Sequence, residues 1–197
     1  MKTLTLLRTA AVATLIIGGS AQAQNTVIGF DALEESGSFF NVVNTYSEGG
    51  YNFDSSFGWL VSAEQGNFAY AGSAGLGATP LATTKLSRDD GTAFSLNSIS
   101  LANFVSVLPG SFNVTFTGVK AGGGTVSQNF TVNSSHSFND YTFNGFSNLL
   151  SASWTEGGFR TYQVDNLNVT AVPEPGTYAM LLAGLGLLGF MRRRKNA

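Results

Sequence analysis

The 197-residue chain contains no cysteine. No disulfide can staple it and no thiolate can serve as nucleophile or metal ligand, so an exported form has to be held together by packing alone. Histidine is almost as scarce, with His136 the single example. A nucleophile–histidine–acid set would need Ser134, Ser135 or Ser137, its neighbours in the polar stretch NSSHSFND, and groups that close in sequence are not presented convergently by a turn. No Gly-x-Ser-x-Gly elbow, His-Glu-x-x-His helix or phosphate loop occurs. Basic residues are missing from the middle of the chain: residues 24–171 hold Lys85, Arg88, Lys120 and Arg160 against eleven acids, a net charge of −7. A nucleic acid partner is excluded on that ground, because neutralising phosphates takes clustered Lys and Arg. Helical periodicity is absent from the same span, where apolar residues never repeat at helix spacing over three turns.

What the middle does contain is a series of short runs with two-residue periodicity, separated by Gly, Asn, Ser and Asp. SFNVTFTGV sets Phe112, Val114 and Phe116 against Asn113, Thr115 and Thr117; KAGGG turns the chain, and TVSQNFTV returns Val126, Phe130 and Val132 to one face, which predicts a hairpin. Further strands are expected at TVIGFD from Thr26, GYNF from Gly50, NFAYAG from Asn67, AFSLNSISL from Ala93, NLLSASW from Asn148 and TYQVDNLNVT from Thr161. The pattern predicts an all-β domain over residues 24–171, an antiparallel β-sandwich of jelly-roll type.

The two ends read differently. Lys2 and Arg8 precede an apolar stretch that closes on Ser20-Ala21-Gln22-Ala23, with small residues at Ala21 and Ala23, the two positions a signal peptidase reads; residues 1–23 are therefore expected to be a secretory signal peptide. At the other end Pro173-Glu174-Pro175 precedes the uncharged run Tyr178 to Met191, and Arg192-Arg193-Arg194-Lys195 follows it. Fourteen helical residues reach about 21 Å against a bilayer core of about 30 Å. The run crosses a membrane only if Gly176 and Thr177 extend it and the arginines keep their stems in the apolar layer. The basic cluster would fix the cytoplasmic side, and the prolines would keep Val172 to Gly176 extended.

Residues 172–197, with triplet, apolar span and basic stop in that order, resemble the PEP-CTERM sorting signal of Gram-negative bacteria, a signature also labelled an ice-binding protein C-terminal domain. The resemblance implies an exported protein, held at the inner membrane by its tail until an exosortase-type enzyme acts near the triplet. It further implies a host that secretes exopolysaccharide and a destination in the outer envelope or extracellular matrix. Pro173, Glu174, Pro175, Arg192, Arg193 and Arg194 carry that role by resemblance. The stretches YSEGGYNF, RDDGTAFSLNSISLANF, VTFTGVKAGGGTVSQNF and YQVDNLNV are similar to β-sandwich regions found upstream of this tag and related to carbohydrate-binding modules, with DGTAFSLNSISL and YQVDNLNV as neighbouring strands.

For the body the expectation is a structural or carbohydrate-binding role rather than catalysis. The alternative is an extracellular polysaccharide hydrolase using paired carboxylates, although Asp89-Asp90 sits in a turn signature. Sugar contact would fall to flat aromatic rings, Trp59 and Tyr51 first, while Trp154 reads as core. Asp165 breaks the alternation of the last strand and predicts a bulge. No cofactor is required. A structural calcium between Asp31 and Asp165, joining first and last strands as in related carbohydrate-binding folds, is the one metal the sequence suggests.

Overall fold

The computed structural model describes residues 23–34, 40–57, 60–63, 66–104, 110–156, 158, 160–172 and 175–195. The signal-peptide region, including Ala21, lies outside them, and Ala23 is an exposed residue just ahead of the first strand. Two compact units result, the body from Ala23 to Glu174 and a second unit that contains the C-terminal helix.

The body is an antiparallel β-sandwich, as the alternation predicts. One layer holds β2 (Phe40–Val43), β5 (Leu60–Ala63), β6 (Leu76–Ala78), β13 (Tyr162–Ala171), β8 (Phe94–Asn103) and β11 (Asn139–Thr142), with β1 (Asn25–Ile28) also paired to β13. The other runs β3 (Thr45–Glu48), β4 (Tyr51–Ser55), β7 (Thr84–Arg88), β12 (Leu149–Glu156), β9 (Phe112–Lys120) and β10 (Thr125–Val132). The chain crosses repeatedly from one layer to the other, the jelly-roll habit, and the layers join where Leu149 stands opposite Phe94.

Buried residues of both layers form one core. Without disulfides it leans on aromatics. Trp154 meets Phe116 at 5.5 Å and Phe53 at 6.4 Å between ring centroids, and Phe116, Phe130 and Phe143 contact one another at 5.0 to 5.4 Å. Each such pair adds about 1 kcal/mol beyond the area it buries.

The expected hairpin is β9–β10, with Phe112 opposite Val132 and Val119 opposite Thr125. Gly123 and Gly124 both take positive φ in its turn, a geometry that glycine adopts without strain. One other expected strand fails, and one forms with a displaced parity. NFAYAG is no strand: Gly66 to Gly75 runs as turns and irregular backbone. In NLLSASW the parity is displaced by a bulge between Leu149 and Ser151, so Leu149 is buried and Leu150 exposed, while Ala152 and Trp154 point inward.

Side chains splice both sides of the sandwich. Gln128 on β10 donates from Nε2 to the Thr142 carbonyl (3.1 Å) and accepts at Oε1 from the Asn144 N–H (2.9 Å), the two bonds a backbone residue would make. Glu48 on β3 accepts from the N–H groups of Gly29 (3.4 Å) and Phe30 (3.1 Å), just past β1. In the first of these layers β13 is central, with β8 along one edge and β1 and β6 end to end along the other.

Candidate functional site

The first and last strands meet as antiparallel neighbours, Asn25 opposite Thr170 through Ile28 opposite Leu167. Beyond that ladder β13 bulges. Asp165 faces Ser100 and Asn168 faces Ser98, three residues spanning two on β8, and Asn166 takes φ 47° to accommodate the extra one. The bulge turns Asp165 into a covered site on the outer side of the sheet, 1 % exposed.

Both carboxylate oxygens of Asp165 are occupied. Ser73 Oγ donates to Oδ2, Asn166 N–H donates to Oδ1 at 2.7 Å, and Asn166 Nδ2 reaches Oδ2 at 3.2 Å. Burial nevertheless pushes the carboxyl up to about 6, the Ser73 and Asn166 bonds work against that rise, and the negative charges of Asp31 and Glu48 add to it. Asp31 opens a 3₁₀ turn, Asp31–Leu33, directly after Phe30, whose φ of 57° is left-handed and strained for a bulky side chain. Glu48 holds Phe30 there through its N–H and also accepts from Tyr46 OH at 2.8 Å. Burial, and then that carboxylate, keep the Tyr46 hydroxyl protonated well above its ordinary range.

The fold thus brings Asp31 and Asp165 into one acidic neighbourhood, while both carboxylate oxygens of Asp165 already accept hydrogen bonds from the protein. Among the described residues no group of three or more Asp, Glu or His side chains is placed to hold a metal, whereas calcium takes six to eight oxygens. Asp165 acts as a hydrogen-bond acceptor that pins Ser73 to the sheet.

The aromatic expectations divide. Tyr51 is 2 % exposed and packs edge-on against Phe94 at 5.5 Å, with the Arg88 guanidinium 5.8 Å from its ring centroid; it belongs to the core and offers no ring to a sugar. Trp59 lies outside the described residues. Trp154 is buried, as expected. His136 is half-buried, its Nδ1 2.8 Å from the Asn103 carbonyl. Asp90 closes its turn by accepting from Thr92 N–H (2.9 Å) and Oγ1 (2.7 Å) and pairs with Arg88 at 2.8 Å, as the turn signature predicts.

Among the exposed rings that the sequence reading passed over, Phe57 and Phe68 in the body, Phe68 is the more exposed. Phe68 lies on the Gly66–Gly75 segment, a strap over the outer side of β13 and β8, fastened by Gln163 Nε2 to the Ala69 carbonyl (2.9 Å) and by Ser73 to Asp165. As a strand, NFAYAG would put Phe68 on a regular face. What betrays the strap is the pairing of Gly66 and Gly72, both at positive φ, on either side of it.

The tail continues directly from β13, where Val172 N–H donates to the Ala93 carbonyl at 3.0 Å. Pro173 and Glu174 lie outside the described residues, and a helix then runs from Pro175 to Lys195. Arg192 and Arg194 are exposed, and the Arg194 guanidinium sits 5.8 Å from the Phe190 ring centroid. The family profile described as the PEP-CTERM protein-sorting motif matches residues 171–195. The chain carries a PEP-CTERM sorting signal. Within that signal the helix is 21 residues long, and no helix of the described residues is long and apolar enough to cross a membrane. The reason is legible: Gly184, Gly186 and Gly189 dilute a short uncharged run that ends at Arg192.

No curated protein matches the chain. Among solved structures, a family 29 carbohydrate-binding module from Piromyces equi is similar at 11 % identity and a TM-score of 0.45, covering 77 % of this chain and 93 % of that one. The tandem CBM22-1–CBM22-2 domain of Xyn10C from Paenibacillus barcinonensis is similar at 15 % identity and a TM-score of 0.42, covering 79 % and 48 %.

Proposed function

We propose that this is an exported surface protein whose β-sandwich body is delivered by its C-terminal signal to the outer envelope or exopolysaccharide matrix of a Gram-negative host. There it serves as a structural or carbohydrate-binding component. In this reading the signal peptide is removed after Ala23 by a signal peptidase. The tail holds the inner membrane transiently, with Arg192, Arg193 and Arg194 on the cytoplasmic side and their stems extending the short apolar run. An exosortase-type enzyme then acts at Pro173-Glu174-Pro175.

The observation that carries the reading is the sorting motif at residues 171–195, which begins where β13 ends. The body completes its ladders at Ala171 and Val172, so trimming near the triplet would cost it no strand. Mass spectrometry of the mature protein from its host tests this. The expected chain begins at Gln24 and lacks Arg192 to Lys195; a surface form that retains Ala197 would remove the sorting step.

A further inference from the structure

The flanking residues of Phe68 are buried while Phe68 itself is not. Asn67 is 7 % exposed and Ala69 0 %, yet the phenylalanine between them is 71 % exposed. A loose loop would expose all three. Here Asn67 Oδ1 accepts from Ala69 N–H at 2.8 Å and Gln163 Nε2 donates to the Ala69 carbonyl, so the backbone on either side is locked and the ring is held outward. It is also propped from beneath. Phe40 on β2 meets Phe68 edge-on at 5.7 Å and stacks on buried Phe104 at 5.2 Å. Two positions further along β2, and so on the same face as Phe40, Val42 is 55 % exposed. The result is a rigid apolar platform rather than a stray hydrophobic residue.

Resting on the proposed reading of the body, we infer that Phe68, braced by Phe40 and extended by Val42, is a contact surface for the apolar C–H face of a sugar ring in an uncharged polysaccharide. Size and charge decide between occupants. The exposed parts of Phe68 and Val42 come to on the order of 200 Å². A second copy of the chain would need about 800 Å² per partner, whereas one or two pyranose rings match the smaller figure. An anionic membrane would want Lys or Arg beside the platform. The body's four basic residues, Lys85, Arg88, Lys120 and Arg160, lie on neither the strap nor β2. A rigid ring also loses little conformational freedom when it is covered.

The test is affinity gel electrophoresis of the full chain in detergent, with hydroxyethyl cellulose and galactomannan as neutral probes and alginate as an anionic one. Retardation by a neutral probe is expected, with Phe68→Ala lowering affinity roughly tenfold and Phe68→Trp restoring it, at unchanged melting temperatures. If wild type binds and Phe68→Ala binds equally, the platform is overturned while the carbohydrate-binding reading survives. If no polysaccharide retards wild type, that reading falls and the platform with it. A concentration-dependent mass lost in Phe68→Ala would assign the surface to self-association and overturn the inference. The mass-spectrometric test of the sorted termini is independent of all three outcomes.

Discussion

Ser73 donates its hydroxyl to the carboxylate of Asp165, a residue 92 positions later in the chain. That one contact ties the strap to the bulge of the last strand, and it does so on a carboxyl that burial pushes up to about 6 from an ordinary 3.8. An acid raised in this way binds its proton more tightly folded than unfolded. Its contribution to stability is therefore fully present below about pH 4 and is lost as pH rises to about 6, a difference of about 3 kcal/mol at most. Melting curves of wild type should rise on acidification through that window, and Asp165→Asn should flatten the change. A mutant with the wild-type slope would show that another group carries it.

Tyr51 gives a cleaner separation of core from binding surface. Its hydroxyl is buried with no hydrogen-bond partner among the described residues, so Tyr51→Phe should alter stability by less than about 1 kcal/mol. Tyr51→Ala should cost about 3 to 5 kcal/mol by leaving a cavity against Phe94. Urea denaturation distinguishes the two. An alanine variant of near wild-type stability would contradict the core assignment.

Gln128 replaces a backbone residue at the junction of β10 with the chain after β11. Gln128→Leu deletes both bonds and should cost about 1 to 2 kcal/mol. Faster hydrogen exchange is expected at the Asn144 amide, with the β9–β10 ladder amides unaffected. Uniform acceleration across the body would mean that the splice supports global rather than local stability.

Replacing Pro173-Glu174-Pro175 by three alanines should let the helix that begins at Pro175 extend upstream, and in the proposed reading that removes the motif a processing enzyme reads. The variant is expected to accumulate full-length in the membrane fraction of the host. Release at the wild-type rate and length would show that the triplet is not read.

Much of this architecture was legible in the residues. Alternation at Phe112, Val114 and Phe116 against Phe130 and Val132 carries the hairpin, and the broken alternation at Asp165 marks a real bulge. The parity of Leu149 and Leu150 was not legible, because both are leucine and the bulge that chooses between them arises from pairing with Lys120 and Val119 on β9. Strands β2, β3, β5, β6 and β7 are three to five residues long, too short for a periodicity. The strap was hidden for a related reason. Asn67 to Tyr70 alternates like a strand, while its actual partners, Gln163 and Asp165, come from a strand about a hundred positions away and act through side chains. Tyr51 misled because ring chemistry is the same in a core as on a surface, and only burial separates the two.

A protein held by its tail is loaded mechanically through its last strand. Here that strand is β13, bonded to β8 on one side and to β1 and β6 on the other, with Val172 clamped to Ala93 at the point where a pull arrives. An edge strand under tension peels, breaking its bonds one after another. A central strand pulled along its axis shears, so that ladders on both sides must give way together. A sorting signal that begins where β13 ends would therefore route any pull on the tail before it is processed into a strand bonded on both sides, rather than into an edge strand.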